Sequence, residues 1–408
     1  MNDISIKKMI SKIDKSRIIH KKLWEITAWD KSFKEVKNHK QKHIVKYKYL
    51  LAAEMKLLES SEGDVYLLST GTYDGWTTEE KAREYLSQGE IISIPWGGTA
   101  KVKYYKGKFV TADNRIATVI DSKEISTKYL YYYLKSIEEY IATLYRGSGI
   151  QHPSMKDVLD IDIPIPEINI QNEIVFILDK FTELEAELEA ELEARKKQYE
   201  YYRNKLLSFD DSASNGGGVM FKMLSEIGDI KMCKRILKKQ TTKLGDVPFF
   251  KIGTFGGKPD AFIPMNVFDA FKKKYPYPKK GDILISASGT IGKTAIYNGE
   301  DAYYQDSNII WLDNNENIVL NKYLYYYYQV ISWPTTIGGG INRLYNSSFK
   351  KCEIAFPPIC RQKEIISILD CFSELITNFD KGLPAEIFLR KQQYEYYRDK
   401  LLSFEEVS

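Results

Sequence analysis

Cysteine is scarce in this chain, long apolar runs are missing and the net charge is small. The four cysteines, Cys233, Cys352, Cys360 and Cys371, form no Cys-x-x-Cys pair, which argues against zinc or dithiol redox chemistry and for reduced, packed thiols. No apolar run approaches the ~18 residues of a membrane span, and the opening MNDISIKKMISKIDKS lacks the apolar core of a signal peptide. A cytoplasmic protein with no membrane partner is expected. A formal net charge of +4 leaves any anionic partner to be met by local patches, not by the bulk field. What is present is ordinary for a globular protein, 43% hydrophobic and 28% charged over 408 residues, enough for two domains with proper cores. Thirty tyrosines stand out.

Repetition organises the chain. QYEYYRNKLLSF (198–209) returns as QYEYYRDKLLSF (393–404), QNEIVFILDKF (171–181) as QKEIISILDCF (362–372), KYLYYYL (128–134) as KYLYYYY (322–328), and GSGI (147–150) as GGGI (338–341). More weakly, LWEITAWDKSF (23–33) resembles LSEIGDIKMCK (224–234). The phrases keep their order at an offset of roughly two hundred residues, the mark of a tandem duplication. DDSASNGGG (210–218) reads as the flexible join.

Each half closes with a helical part. Residues 171–209 contain no Pro or Gly, and Ile174, Ile177, Leu178, Phe181, Leu184, Leu188 and Leu192 recur at three- and four-residue steps. The middle, ELEAELEAELEA (183–194), is three tetrapeptides. In the second copy Phe372 to Gln393 is 21 steps against 17 from Phe181 to Gln198, and Gly382-Leu383-Pro384 should interrupt the helix, with Pro384 in a first-turn position. Two such stripes most simply bury against each other as an antiparallel pair. Glu200, Arg203 and Lys205 point away from the Tyr199, Tyr202, Leu206 and Phe209 face and recur as Glu395, Arg398 and Lys400, so a partner is expected to dock twice, once per half.

The globular segments read as mixed α and β. GEIISIPWGG (89–98) and GDILISASGTIG (281–292) look like strands ending in glycine turns. AKVKYYKGKFV (100–110) and KTAIYNGEDAYY (293–304) look like hairpins turning at Lys106-Gly107 and Asn298-Gly299. Lys31, Lys34, Lys37, Lys40, Lys42, Lys46 and Lys48 form one basic run, and Lys231, Lys234, Arg235, Lys238, Lys239 and Lys243 another. A charge run is ordinarily a solvated face. Two runs at comparable places, interleaved with Tyr47, Tyr49 and His43, favour phosphate contact with nucleic acid.

Catalytic signals are present but fail in context. ASGTIGKT (287–294) fits a relaxed phosphate-loop pattern, yet the residues after it are β-branched, aromatic and broken by Asn298-Gly299 where a helix N-terminus is needed. FPPI (356–359) resembles the motif with which amino-methyltransferases hold the target amine but lacks its polar and aromatic members. His39 and His43 have the spacing of a metal pair but lie among lysines. No catalytic residue, metal or cofactor is expected.

Two divergent globular halves, each closed by Q-x-E-I-x-x-I-L-D-x-F and then Q-Y-E-Y-Y-R-x-K-L-L-S-F, resemble the specificity subunit of type I restriction-modification enzymes over essentially the full length. The resemblance implies an α+β fold of two target-recognition domains with mixed β-sheets, joined by two long antiparallel coiled-coil helices. It places the domains at 1–166 and 219–358, the spacer helices at 167–209 and 359–405, and the linker at 210–218. It also implies a non-catalytic subunit that reads a bipartite sequence in double-stranded DNA and docks two methyltransferase (modification) subunits, which bring S-adenosylmethionine, with motor-nuclease subunits joining that core. The rival reading is a two-partner scaffold that does not read DNA. Phosphate contacts are expected from the two basic runs, and base contacts from Trp96, Lys101, Ser288, Thr290 and Lys293 in the glycine turns and from Gln151, His152, Asn342 and Arg343 after the flexible glycines.

Overall fold

Leu23–Ile26 and Leu224–Ile227 each form one helical turn whose glutamate reaches back to the backbone N–H three residues before it. Glu25 accepts from Lys22 and Glu226 from Met223, both at 2.7 Å. Each half of the chain thus opens with the same device, as the weak LWEI and LSEI match suggests.

The computed structural model describes residues 3–13, 16–71, 74–209, 218–338 and 341–404, so the expected join at 210–218 lies outside the described residues except for Gly218. Two compact units emerge, Met1–Leu188 with Ile387–Ser408, and Glu189–Glu386. Unit 1 begins α1 (Asp3–Ile13), β1 (Ile19–Lys22), α2 (Leu23–Ile26), β2 (Thr27–Trp29), α3 (Ala52–Leu57), β3 (Val65–Leu68), β4 (Asp74–Thr77) and α4 (Glu79–Ala82). It continues β5 (Ser87–Pro95), β6 (Lys103–Thr111), β7 (Asn114–Val119), α5 (Thr127–Ser136), α6 (Glu138–Thr143), β8 (Tyr145–Arg146), β9 (His152–Pro153), α7 (Met155–Leu159) and β10 (Asp162–Ile165). The 40-residue α8 (Ile168–Leu207) gives its first half to unit 1 and its second half to unit 2. Unit 2 adds β11 (Met220–Met223), α9 (Leu224–Ile227), β12 (Gly228–Lys231), β13 (Val247–Phe250), β14 (Phe262–Ile263), α10 (Met265–Lys274), β15 (Ile283–Ser286), β16 (Thr294–Ile296) and β17 (Tyr303–Tyr304). It ends with β18 (Ile309–Asn314), α11 (Asn321–Tyr327), β19 (Thr336–Gly338), β20 (Ile341–Arg343), α12 (Asn346–Lys350), β21 (Glu353–Phe356) and α13 (Ile359–Thr377). The last helix, α14 (Leu383–Leu402), packs in unit 1 from Ile387 onward.

The repeat holds at the level of topology. β1 pairs antiparallel with β10 and β11 with β21, so each unit joins its first strand to its last. The strand order β2-β7-β5-β6 of unit 1 matches β12-β18-β15-β16 of unit 2.

Neither expected hairpin forms. β6 runs straight through Lys106-Gly107, because Gly107 lies opposite Gly89 and the β5 register from Ser87 to Ser93 carries the chain past the dipeptide. Asn298-Gly299 does bend the chain, with Gly299 at φ +94°, but the strands on either side join different sheets, β16 to β15 and β17 to β13. A single strand, β6, pairs with both β5 and β3 in unit 1. In unit 2 the corresponding stretch is divided between β16 and β17.

The repeated phrases fasten each globular part to its helix. Gln171 is fully buried, accepting from the Ser126 N–H at 2.9 Å and donating to the carbonyls of Glu124 and Pro166. Gln362 does the same with Leu320, Ile318 and Pro357. Tyr132 and Tyr326 donate to Asp179 and Asp370, which also pair with Lys128 and Lys322. Tyr129 and Tyr323, both fully buried, donate to the carbonyls of Pro164 and Ala355. Burial and these contacts push the Tyr132 and Tyr326 hydroxyls far above the ordinary phenol range, so they act as fixed donors.

The helices pair antiparallel, as their stripes require. In unit 1 Phe181 of α8 stacks on Tyr397 of α14 at 5.7 Å between centroids, and Glu185 pairs with Lys391 at 3.1 Å. In unit 2 Phe372 of α13 stacks on Tyr202 of α8 at 5.8 Å. The expected break is present: a Cβ on Gly382 would lie 2.6 Å from the Leu375 carbonyl oxygen, and α14 starts at Leu383 with Pro384 in its first turn. Among the described residues no helix is long and apolar enough to cross a membrane.

Candidate nucleic-acid interface

In unit 1 the chain leaves β5 at Pro95 and turns through Trp96, Gly97, Gly98 and Lys101 before β6. The short β8–β9 ribbon meets this turn. The Gly98 N–H donates to the Gln151 carbonyl at 2.9 Å, His152 Nδ1 lies 3.0 Å from the Trp96 carbonyl oxygen, and the Trp96 and His152 rings approach to 4.3 Å. Gly97 is required for that approach, since a Cβ there would lie 2.9 Å from His152 Nδ1. Trp96 and Gln151 are exposed, His152 and Lys101 half-buried. The four candidates chosen from the sequence in this unit therefore lie together, or in one turn.

Unit 2 repeats the arrangement. The turn after β15 is bridged to β20 between Ser288 and Arg343, with the Gly289 N–H donating to the Asn342 carbonyl at 3.1 Å and the Leu344 N–H to that of Ala287 at 3.0 Å. Thr290, Asn342 and Arg343 are exposed, whereas Ser288 is buried. Lys293 has a different employment: its ammonium donates to the Phe255 carbonyl at 2.5 Å and its stem lies over Gly256, so it holds the 253–257 loop. ASGTIGKT is the tight turn between β15 and β16, and a strand, not a helix, comes after it.

The members of the basic runs differ in whether they hold a partner within the fold. Lys31 pairs with Asp113 at 2.9 Å and lies over the Tyr49 ring, Lys40 pairs with Asp160, and Lys48 pairs with Glu84 at 2.8 Å. Lys34, Lys37, Lys42 and Lys46 are exposed. In the second run Lys234 lies 5.3 Å from the Tyr275 ring centre and Arg235 is at 4.0 Å from Asp306, and both are exposed, as are Lys238 and Lys239. Sequence reading could not separate these classes, because the carboxylates concerned are far away in the chain.

The repeated helix charges divide as well. Arg203 stacks on Tyr199 and donates to Gln329 at 3.3 Å, while Arg398 stacks on Tyr394 and pairs with Asp399 at 2.8 Å. Glu200, Lys205, Glu395 and Lys400 are exposed. Arginine thus recurs partly for packing, and only glutamate and lysine are presented outward in both copies. Among the described residues no group of three His, Cys, Asp or Glu side chains is placed to hold a metal; His39 packs edge-on against Trp24.

Comparison with known proteins adds independent findings. The family model described as "Type I restriction modification DNA specificity domain" matches residues 34–194 and again 217–388. A Haemophilus influenzae chain named as a type I restriction enzyme specificity subunit is 45% identical over 347 residues, covering 81% of this chain and 87% of that one. An Escherichia coli type I restriction enzyme specificity subunit is 30% identical over 352 residues, covering 81% and 84%. The crystal structure of the S subunit of a type I restriction-modification system from M. genitalium superposes with a TM-score of 0.56 at 18% identity, covering 97% of this chain and 98% of that one, a likeness of fold.

Proposed function

This chain belongs to the type I restriction-modification DNA specificity family, and on that premise we propose that each of its units reads one half of a bipartite duplex target. As a specificity subunit it is non-catalytic and serves DNA target recognition. The scaffold that ignores DNA gains no support from fold or family. The half-site readers are the paired loops, Trp96 to Lys101 with Gln151 and His152, and the turn at Gly289 and Thr290 with Asn342 and Arg343. One observation carries this: two globular parts of largely different sequence keep the same backbone tie, Gly98 to Gln151 and Gly289 to Asn342, between a glycine turn and the segment after the second glycine run. A shared frame bearing different side chains is what reading two different sequences requires. Outward lysines of the two runs supply affinity through phosphates. The chain assembles in the cytoplasm with modification subunits, two per chain, and through them with motor-nuclease subunits.

The test is adenine-methylation sequencing in a host carrying this chain and its modification subunit. Gln151→Ala or His152→Ala is expected to relax one half-site only, and Asn342→Ala or Arg343→Ala only the other, by about 1–3 kcal/mol of discrimination for each lost base contact. A variant that alters both half-sites would refute the assignment of one reader per unit. Replacing Lys34 or Lys42 with Ala is expected to weaken binding to all sequences alike and to lower the salt slope by about one.

A further inference from the structure

α1 packs into a core that the duplication makes twice, and it does so in only one of the two copies. Its Ile6, Met9 and Ile13 are buried in the same core of unit 1 as Ile177 of α8 and Tyr397 and Leu401 of α14. Its Lys12 pairs with Glu173 at 2.5 Å. The repeat matches Ile177 to Ile368, Tyr397 to Tyr202 and Leu401 to Leu206, identical residue types at each position. Their environments differ. Ile177 is 6% exposed and Ile368 40%, Tyr397 7% and Tyr202 37%, while Leu401 is fully buried and Leu206 half-buried. Glu364, which matches Glu173, turns to Arg361 on its own helix at 2.6 Å. Further along α13, Cys371 and Leu375 extend the open stripe at three- and four-residue steps from Ile368.

We propose that this stripe of unit 2, from Tyr202 and Leu206 across Ile368 to Cys371 and Leu375, docks an amphipathic helix of a modification subunit, and that α1 is the built-in occupant of the matching surface in unit 1. The proposal rests on the reading of this chain as a subunit that binds modification subunits. α1 itself describes the occupant, since it is a helix that shares the core of the matching residues: apolar side chains at steps of three and four, with a lysine reaching the acidic position of the repeat. Two identical subunits therefore meet unequal surfaces. The first takes the open stripe, and the second must displace α1.

Titration of the full chain with the purified modification subunit of its own system, followed by native mass spectrometry and calorimetry, tests this. Two steps are expected, about ten-fold or more apart in Kd. Ile368→Asp should weaken the tighter step and leave the other, whereas Met9→Asp should tighten the weaker one. Lys12→Glu, at an exposed position, serves the same purpose if Met9→Asp does not fold. In a Cys360→Ser background, maleimide labelling of Cys371 should slow in the 1:1 complex. Two equal steps, unprotected Cys371, or a ratio unmoved by both α1 variants overturns the proposal while leaving the partner reading intact. Failure of any modification subunit to bind, with DNA binding retained, overturns that reading and the proposal with it.

Discussion

Gln171 and Gln362 show what one side chain does in this architecture. Each presents an acceptor to a backbone N–H and two donors to carbonyls at the point where a globular part meets its helix. Leucine has nearly the right volume but no polar atoms, so Gln171→Leu strands the Ser126 N–H and two carbonyls, each costing about 1–3 kcal/mol where water cannot replace the lost partner. A fall of at least ~2 kcal/mol in the stability of the unit concerned is expected in urea denaturation. Thiol reactivity supplies a second prediction. Burial pushes the Cys233 thiol up to about 12 and raises that of Cys352, while Cys360 and Cys371 are exposed. At pH 8 a thiol-exchange reagent should therefore titrate two cysteines rapidly in the native chain and all four in denaturant; four fast thiols would mean that the unit 2 core is open.

Among the elements, the long helices were legible and the short strands were not. The stripe from Ile174 to Leu192 has one period, no breaker and a second copy, which together specify α8 within three residues at either end. Lys106-Gly107 and Asn298-Gly299 look alike in sequence, yet Gly89 across the sheet lets the first stay extended, while the second joins strands of different sheets. A turn dipeptide states only what the backbone can do, and distant partners decide what it does. α1 is not legible in the sequence, because its stripe of Ile6, Met9 and Ile13 is three residues long and has no repeat. The helix pairing makes its own prediction. Phe181 is 9% exposed between Tyr394 and Tyr397, so Phe181→Ala should cost about 3–5 kcal/mol. Phe372, half-buried against Tyr202, should cost less by the same substitution, and equal thermal shifts for the two variants would contradict the burial difference.

For the whole molecule, each unit borrows the end of a helix that begins with the other. The core of unit 2 includes Tyr199 and Leu207 of α8, and that of unit 1 includes Tyr397 and Leu401 of α14, which stand in nearly identical phrases. A fragment from Met220 to Ser408 lacks the α8 phrase but carries the α14 one. It is expected to dimerise, each copy's α14 completing the other's core, and with modification subunits to methylate a symmetric site of two inverted second half-sites. Light scattering that finds a folded monomer would contradict this exchange. At this scale the candidate site was half legible: the contact between each glycine turn and its post-glycine segment joins residues that could be named together from the sequence, because both halves repeat them. Which lysines already hold a carboxylate could not, since Asp113, Asp160 and Glu84 claim three of the seven in the first run from across the fold.

That borrowing also sets a clock. Ribosomes add residues in order, and a domain ordinarily folds once its own stretch has emerged. Here the first unit to be made is the last to be finished, because Tyr397 and Leu401 leave the ribosome after all of unit 2 has been synthesised. Any nascent or prematurely ended chain holds the first globular part with an open core. A frameshift late in the gene would therefore cost the protein its beginning as well as its end.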